Sequence, residues 1–220
     1  MKIVILTDLH GRTDLLPALE EDISSSDLVV LAGDLTHFGN TARVKNILDS
    51  IRQYQPNILA VSGNCDPAEI ENYLIREKIS LHLKSITRDN ICFVGLSGSL
   101  PCPGTTPNEY SETEFSCFLD EIKACMDRSL PIVFVSHQPP FNCKNDLLPA
   151  NVHVGSHAVR KFIETESPIL CLCGHIHEGI GIDSIGKTMI INPGPFREGH
   201  YAIINILSKT IEAELFTSSV

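Results

Sequence analysis

Five short stretches carry residue types that bind divalent metals. They are Asp8 and His10 in Asp-Leu-His-Gly, Asp34 after Gly33, Asn64 in Gly63-Asn64-Cys65-Asp66, His137 after Ser136, and His175 with His177 in Gly-His-Ile-His. Carboxylate and imidazole together suit Mn, Fe, Zn, Ni or Co better than Ca or Mg, which prefer oxygen ligands throughout. The set fits two divalent ions, Mn for preference, and one carboxylate could bridge them. Asp34 is the natural bridge, because its strand is expected at the centre of a sheet. In Asp8-x-His10 and His175-x-His177, alternation keeps both members on one side of an extended segment. Each piece alone is commonplace; five in one chain, each just past an apolar run, are not.

Such a site needs elements that end together. Residues 2–7, 28–32 and 57–61 are apolar runs that read as buried strands. Helical spacing fills the intervals, through Leu15, Leu16, Leu19 and Ile23, then through Val44, Ile47, Leu48 and Ile51. This β-α-β-α-β rhythm is that of a parallel sheet covered by helices. Pro67 opens a helix to Arg76, residues 90–96 form a strand, and residues 97–108 form a loop. Ser111 and Glu114 make a capping box for a helix reaching Asp127. Residues 131–135 and 168–173 are strands that end in His137 and in the Gly-His-Ile-His motif, with a helix over 156–164 between them. The long loop 138–155 reads as functional or mobile. Four β runs in the last quarter, at 181–184, 187–191, 201–207 and 210–216, suggest an antiparallel meander. In open α/β sheets ligands bind beyond the carboxyl ends of the strands, where the metal-type residues fall.

The 220 residues suit one domain spanning 1–220, with 43% hydrophobic and 20% charged residues. A net charge of −10 excludes broad binding to a nucleic-acid backbone, which needs dense Lys and Arg. The eight cysteines form no CxxC and read as buried small hydrophobes of a reduced compartment. No stretch approaches the roughly 20 apolar residues of a membrane helix, and residues 3–6 are too short a run for a signal-peptide core. A cytoplasmic location without membrane attachment is expected, and a homo-oligomer is compatible with the sequence.

The ordered motifs resemble those of the calcineurin-like metallophosphoesterases, from Asp8-Leu-His10 through Gly174-His175-Ile176-His177, and Asn192-Pro193-Gly194-Pro195 resembles small microbial members. The resemblance implies a four-layer α/β/β/α sandwich of two mixed β-sheets flanked by helices. It also implies one ion on Asp8, His10, Asp34 and His177 and a second on Asp34, Asn64, His137 and His175. Ions about 3.5 to 4 Å apart would activate a bridging hydroxide for in-line attack on phosphorus.

One motif departs from the family pattern. Members commonly have histidine, thought to protonate the leaving group, where this chain has Cys65. A thiol, with a reference pKa of about 8.5, is a poorer general acid near neutrality than imidazole. Cys65 and Asp66 are therefore candidate catalytic residues of modest effect, and His37, three residues after Asp34, could substitute. Asn64, His153 in the long loop, and Arg12 after the first motif are candidate substrate contacts, as is Arg197 after Asn-Pro-Gly-Pro.

Protein phosphatases of this superfamily carry Gly-Asp-x-x-Asp-Arg-Gly. Residues 33–39 here read Gly-Asp-Leu-Thr-His-Phe-Gly, without the arginine that would grip a phosphomonoester dianion. Small phosphodiesters, cyclic nucleotides among them, are the expected substrates. A phosphomonoesterase or nucleotidase is the alternative. A non-catalytic scaffold, as in a retromer subunit of similar fold that has lost part of the metal set, is the reading from another class.

Overall fold

Alternation along the strands decides the layering of this computed structural model, which describes residues 1–207 and 210–218. Strands β1 (Lys2–Leu6), β2 (Leu28–Ala32) and β3 (Ile58–Val61) pair in parallel. Successive side chains of a strand point to opposite faces. Val4, Leu6, Val29 and Leu31 therefore pack outward against the helices α1 (Glu20–Ser24), α2 (Thr41–Arg52) and α3 (Ala68–Arg76). Ile3, Ile5, Leu59 and Val61 point the other way, onto Phe93, Val133, Val135 and Leu172 of a second sheet.

That second sheet comprises β4 (Ser85–Arg88), β5 (Ile91–Leu96), β6 (Ile132–Ser136), β9 (Leu170–Leu172), β10 (Gly181–Ile185) and β11 (Thr188–Asn192), in the order β10-β11-β9-β6-β5-β4. Its outer face, with Val94, Leu96 and Phe134, is covered by Phe115, Leu119 and Ile122 of α4 (Glu112–Cys125) and by Val159, Phe162 and Ile163 of α5 (His157–Glu166). The first sheet is completed by β12 (His200–Ile206) and β13 (Ile211–Thr217), in the order β13-β12-β1-β2-β3. The result is the expected α/β/β/α sandwich. The second sheet has a parallel centre and antiparallel edges; the first is parallel from β1 to the β3 edge and antiparallel only on the side of β12 and β13, and the five strands that precede the candidate ligands all pair in parallel with at least one neighbour.

Four expectations change. The helix over 13–23 is a 3-10 turn (Leu16–Leu19) followed by the short α1; Pro17 lacks an N–H and confines regular helix to the residues beyond that turn. Strand β4 is additional, a half-exposed edge segment whose Ser-Ile-Thr-Arg sequence carries little apolar signal. The four C-terminal β runs form no single meander, since β10 and β11 belong to one sheet and β12 and β13 to the other. The loop 138–155 contains the small hairpin of β7 (Leu147–Leu148) and β8 (Val152–His153). It is drawn together by buried Asp146, which accepts from the backbone N–H of Asn142, Cys143 and Gly155. All eight cysteines are free. Cys65, Cys92, Cys143, Cys171 and Cys173 are buried as expected, whereas Cys117 and Cys125 are exposed on α4. Among the described residues no helix is long and apolar enough to cross a membrane.

Candidate metal centre

The turns after β1 and β2 are zipped together by their backbones. Asp8 N donates to Gly33 O at 3.0 Å and His10 N to Asp34 O at 2.9 Å. Asp8, His10, Asp34 and His175 all have left-handed backbones, with φ of 53°, 48°, 50° and 68°. Such conformations outside glycine cost on the order of 1 kcal/mol or more each and cluster at functional sites. Cross-links hold them here. Asp8 Oδ2 accepts from Thr7 Oγ1 at 2.8 Å and from His175 N at 3.1 Å, joining the first sheet to the second. Asp34 Oδ1 accepts from Cys65 N at 2.8 Å. Gly63 permits that approach, since a Cβ there would stand 2.1 Å from Asp34 Oδ1.

The expected residues lie on adjoining turns: Asp8, His10 and His177, and Asp8, Asp34 and His137, each bring donor atoms within 4.8 Å of one another, whereas His175 Nε2 lies 3.6 Å from Cys102 Sγ. His10 Nε2 is 3.9 Å from Asp8 Oδ1 and 3.8 Å from Asp34 Oδ2, and both ring nitrogens of His10 are buried without a hydrogen-bond partner. His137 is fully buried; its Nδ1 lies 2.8 Å from Ala32 O, so Nδ1 carries the proton and Nε2 is bare. That bare nitrogen faces Asn64 Oδ1 at 3.0 Å and Asp34 Oδ1 at 3.5 Å. The ring of His175 lies 5.1 Å from that of His137. His177 Nε2 is 3.3 Å from Asp8 Oδ1. A lone pair pointed at two oxygens is repulsive unless a cation lies among them, so the donor set fits divalent metal.

The electrostatics agree. Burial lowers the pKa of His10 and brings that of His175 down to about 3, which keeps both imidazoles neutral and able to ligate. Burial works to raise the acid of Asp8, but its hydrogen bond with His177 and the neighbouring imidazoles outweigh it and hold the carboxyl below its ordinary value. The same hydrogen bond raises the pKa of His177. Arg197 Nη2 stands 3.2 Å from His177 Nδ1. A guanidinium only donates, so Nδ1 accepts and Nε2 carries the hydrogen toward Asp8. To ligate through Nε2, His177 must take the other tautomer and release Arg197.

Around this cluster lie residues that fix it. Asp66 is fully buried, and its two oxygens accept from Leu35 N, Thr36 N, Thr36 Oγ1 and Gly63 N at 2.8 to 3.0 Å. It thereby ties the turn after β3 to the turn after β2, and its oxygens are turned to that clamp. The side-chain amide of Asn64 is set by Thr106, whose Oγ1 accepts from Nδ2 at 3.1 Å and donates to Glu109 Oε1 at 2.6 Å. Nothing in the sequence of that loop marks Thr106 or Glu109. The cue would have been that a ligating asparagine needs an acceptor for its NH2.

The remaining candidates divide. Cys65 is 8% exposed beside Asn64, and burial and the Asp34 carboxylate push its thiol well up. His37 is exposed with its ring 5.5 Å from that of His10, and His10, His37 and Cys65 themselves form a compact trio of donors. Arg12 is turned to Asp14 and to Arg197 O at the surface. His153 is bonded to Asp146 at 2.7 Å within its own loop. Two cavities border the cluster. One of about 620 Å³ adjoins His10 and His37 and contains Arg43; the other, of about 290 Å³, adjoins His175 and is lined by Leu100, Pro103, Leu148 and Val154.

Comparison with known proteins bears on this geometry. Residues 1–179 match the model of the calcineurin-like phosphoesterase family. An uncharacterized protein of Methanocaldococcus jannaschii is 42% identical over 200 residues, covering 89% of this chain and 88% of its own. The solved structure of TT1561 from Thermus thermophilus shares the fold with a TM-score of 0.75 at 18% identity, over 97% of each chain. Purple acid phosphatase PPD1 from yellow lupin seeds shares it with a TM-score of 0.57 at 12% identity, over 99% of this chain and 51% of its own. The chain belongs to the calcineurin-like phosphoesterases, metal-dependent enzymes acting on phosphoesters.

Proposed function

We propose that the chain hydrolyses small phosphodiesters at two divalent ions, Mn for preference. Asp8, His10, Asp34 and His177 would hold one, and Asp34, Asn64, His137 and His175 the other. The observation that supports this reading is the gathering of Asp8, His10, Asp34, His137 and His177 donors at strand ends, with His137 Nε2 facing oxygen acceptors and both ring nitrogens of His10 buried and unpartnered. Bound there, the ions supply Lewis acidity at the phosphoryl oxygens and lower the pKa of bound water.

The rest falls to the chain's own residues. Ala32 O sets the tautomer of His137, Thr106 sets the amide of Asn64, and Asp66 holds the two turns in register as a positioning residue. Cys65 stands where an imidazole acid would, so leaving groups that depart without strong protonation are favoured. Two features favour diesters over monoesters. Residues 33–39 contain no arginine. The two cavities, at His10 and at His175, offer a place for each ester arm. Arg43 favours a monoester dianion, but Glu69 lines the same cavity and offsets its charge.

The test is the rate on bis-nitrophenyl phosphate against nitrophenyl phosphate with added Mn, Ni, Co, Zn or Mg. The diester should turn over faster; faster monoester turnover overturns the preference.

A further inference from the structure

Phe38 is 51% exposed, and its φ is 54°. A large aromatic residue in a left-handed turn is a conformational outlier. Leaving the ring half in water adds a hydration cost to the strain. The ring is not what holds the turn, which is fixed by Phe38 N donating to Cys65 O at 3.1 Å and Gly39 N to Thr36 Oγ1 at 3.1 Å. The ring lies 4.5 Å from that of His37 and lines the 620 Å³ cavity that His10 also borders. Across the cavity Arg43 extends over Gly11, its Nη1 3.3 Å from where a Cβ would stand. Asn40 Oδ1 is engaged by Arg43 N, which leaves its NH2 group free to donate. Glu69 adds a carboxylate acceptor.

Resting on the reading that phosphate reacts at the seven-residue cluster, we propose that this cavity is a subsite for a neutral planar ring carried on one ester arm. Phe38 provides the stacking face, with Arg43, Asn40 and Glu69 addressing polar atoms at the ring's edge. A second anionic group fits less well, because the cavity pairs one cation with one carboxylate in a chain of net charge −10. A stacked ring needs no net charge, and a ring bearing both donors and acceptors uses all three edge residues.

The experiment compares kcat/KM with Mn for three diesters sharing a nitrophenolate leaving group, with methyl, phenyl or thymidinyl as the second arm. Both rings should be preferred to methyl by roughly tenfold. Phe38→Ala should bring the ring-to-methyl ratio near one, and Phe38→Tyr should retain it. Arg43→Ala should lower the thymidinyl ester more than the phenyl ester if the natural ring is a nucleobase, and both equally little if it is a plain aryl group. Calorimetric titration with phenyl and methyl phosphonate esters that cannot turn over gives the same comparison without catalysis. Turnover without ring preference, or a ratio unchanged in Phe38→Ala, overturns the subsite alone. Ring-selective binding that Phe38→Ala abolishes, with no turnover of any ester, supports the subsite and overturns the hydrolase reading alone.

Discussion

An asparagine amide presents oxygen on one side and NH2 on the other, and only the oxygen can hold a cation. In this chain the choice is made by a threonine in another loop. Thr106 Oγ1 accepts from Asn64 Nδ2 and donates to Glu109 Oε1, so Oδ1 is left facing His137. Thr106→Val keeps the shape and removes the acceptor. Loss of such a supporting partner typically costs a metal site tenfold to a hundredfold. Mn titration of the variant should therefore show one of two ions bound roughly tenfold more weakly, the other unchanged. Equal affinity for both ions in variant and parent would show that Thr106 does not set the amide. Asp66 acts at the same scale. The sequence makes it a candidate catalytic residue of modest effect, but its oxygens are taken up by three backbone N–H groups and a hydroxyl.

Among the elements, the two helices over the second sheet, which also share an apolar cluster, are joined at their starts by one carboxylate. Glu112 opens α4, yet its carboxylate accepts from Ser156 Oγ, His157 N and Ala158 N at the start of α5. A carboxylate at a helix N-terminus satisfies orphan N–H groups and opposes the positive end of the helix dipole. Glu112→Ala should lower stability by about 1 kcal/mol, read as a reduced urea midpoint with unchanged slope. An unchanged midpoint would show that Ser156 suffices as the cap. Much at this scale was legible in the sequence. The apolar runs of β1, β2, β3, β5, β6 and β9 and the Ser111–Glu114 box announce themselves locally. What was not legible is non-local. Nothing within Gly181–Ile185 or His200–Ile206 says which sheet each will join, and Arg43 reads as an exposed helix residue until α2 is laid beside Gly11.

For the molecule as a whole, an acidic chain must attract an anionic substrate. The surface does not supply that field; two divalent ions at the edge of the sheets would. The candidate site was readable because each expected ligand comes soon after a strand, and parallel strands deliver their ends to one edge. Its supports were not, because Thr106, Glu109 and Arg43 reach it from a loop and a helix with no motif of their own. The central claim is that these strand ends hold two ions around Asp34. Anomalous diffraction from crystals of the protein grown with Mn tests it most directly. Two peaks about 3.5 to 4 Å apart should flank Asp34, one against His10 and His177, the other against Asn64, His137 and His175. A single peak, or one seated instead among His10, His37 and Cys65, would contradict it.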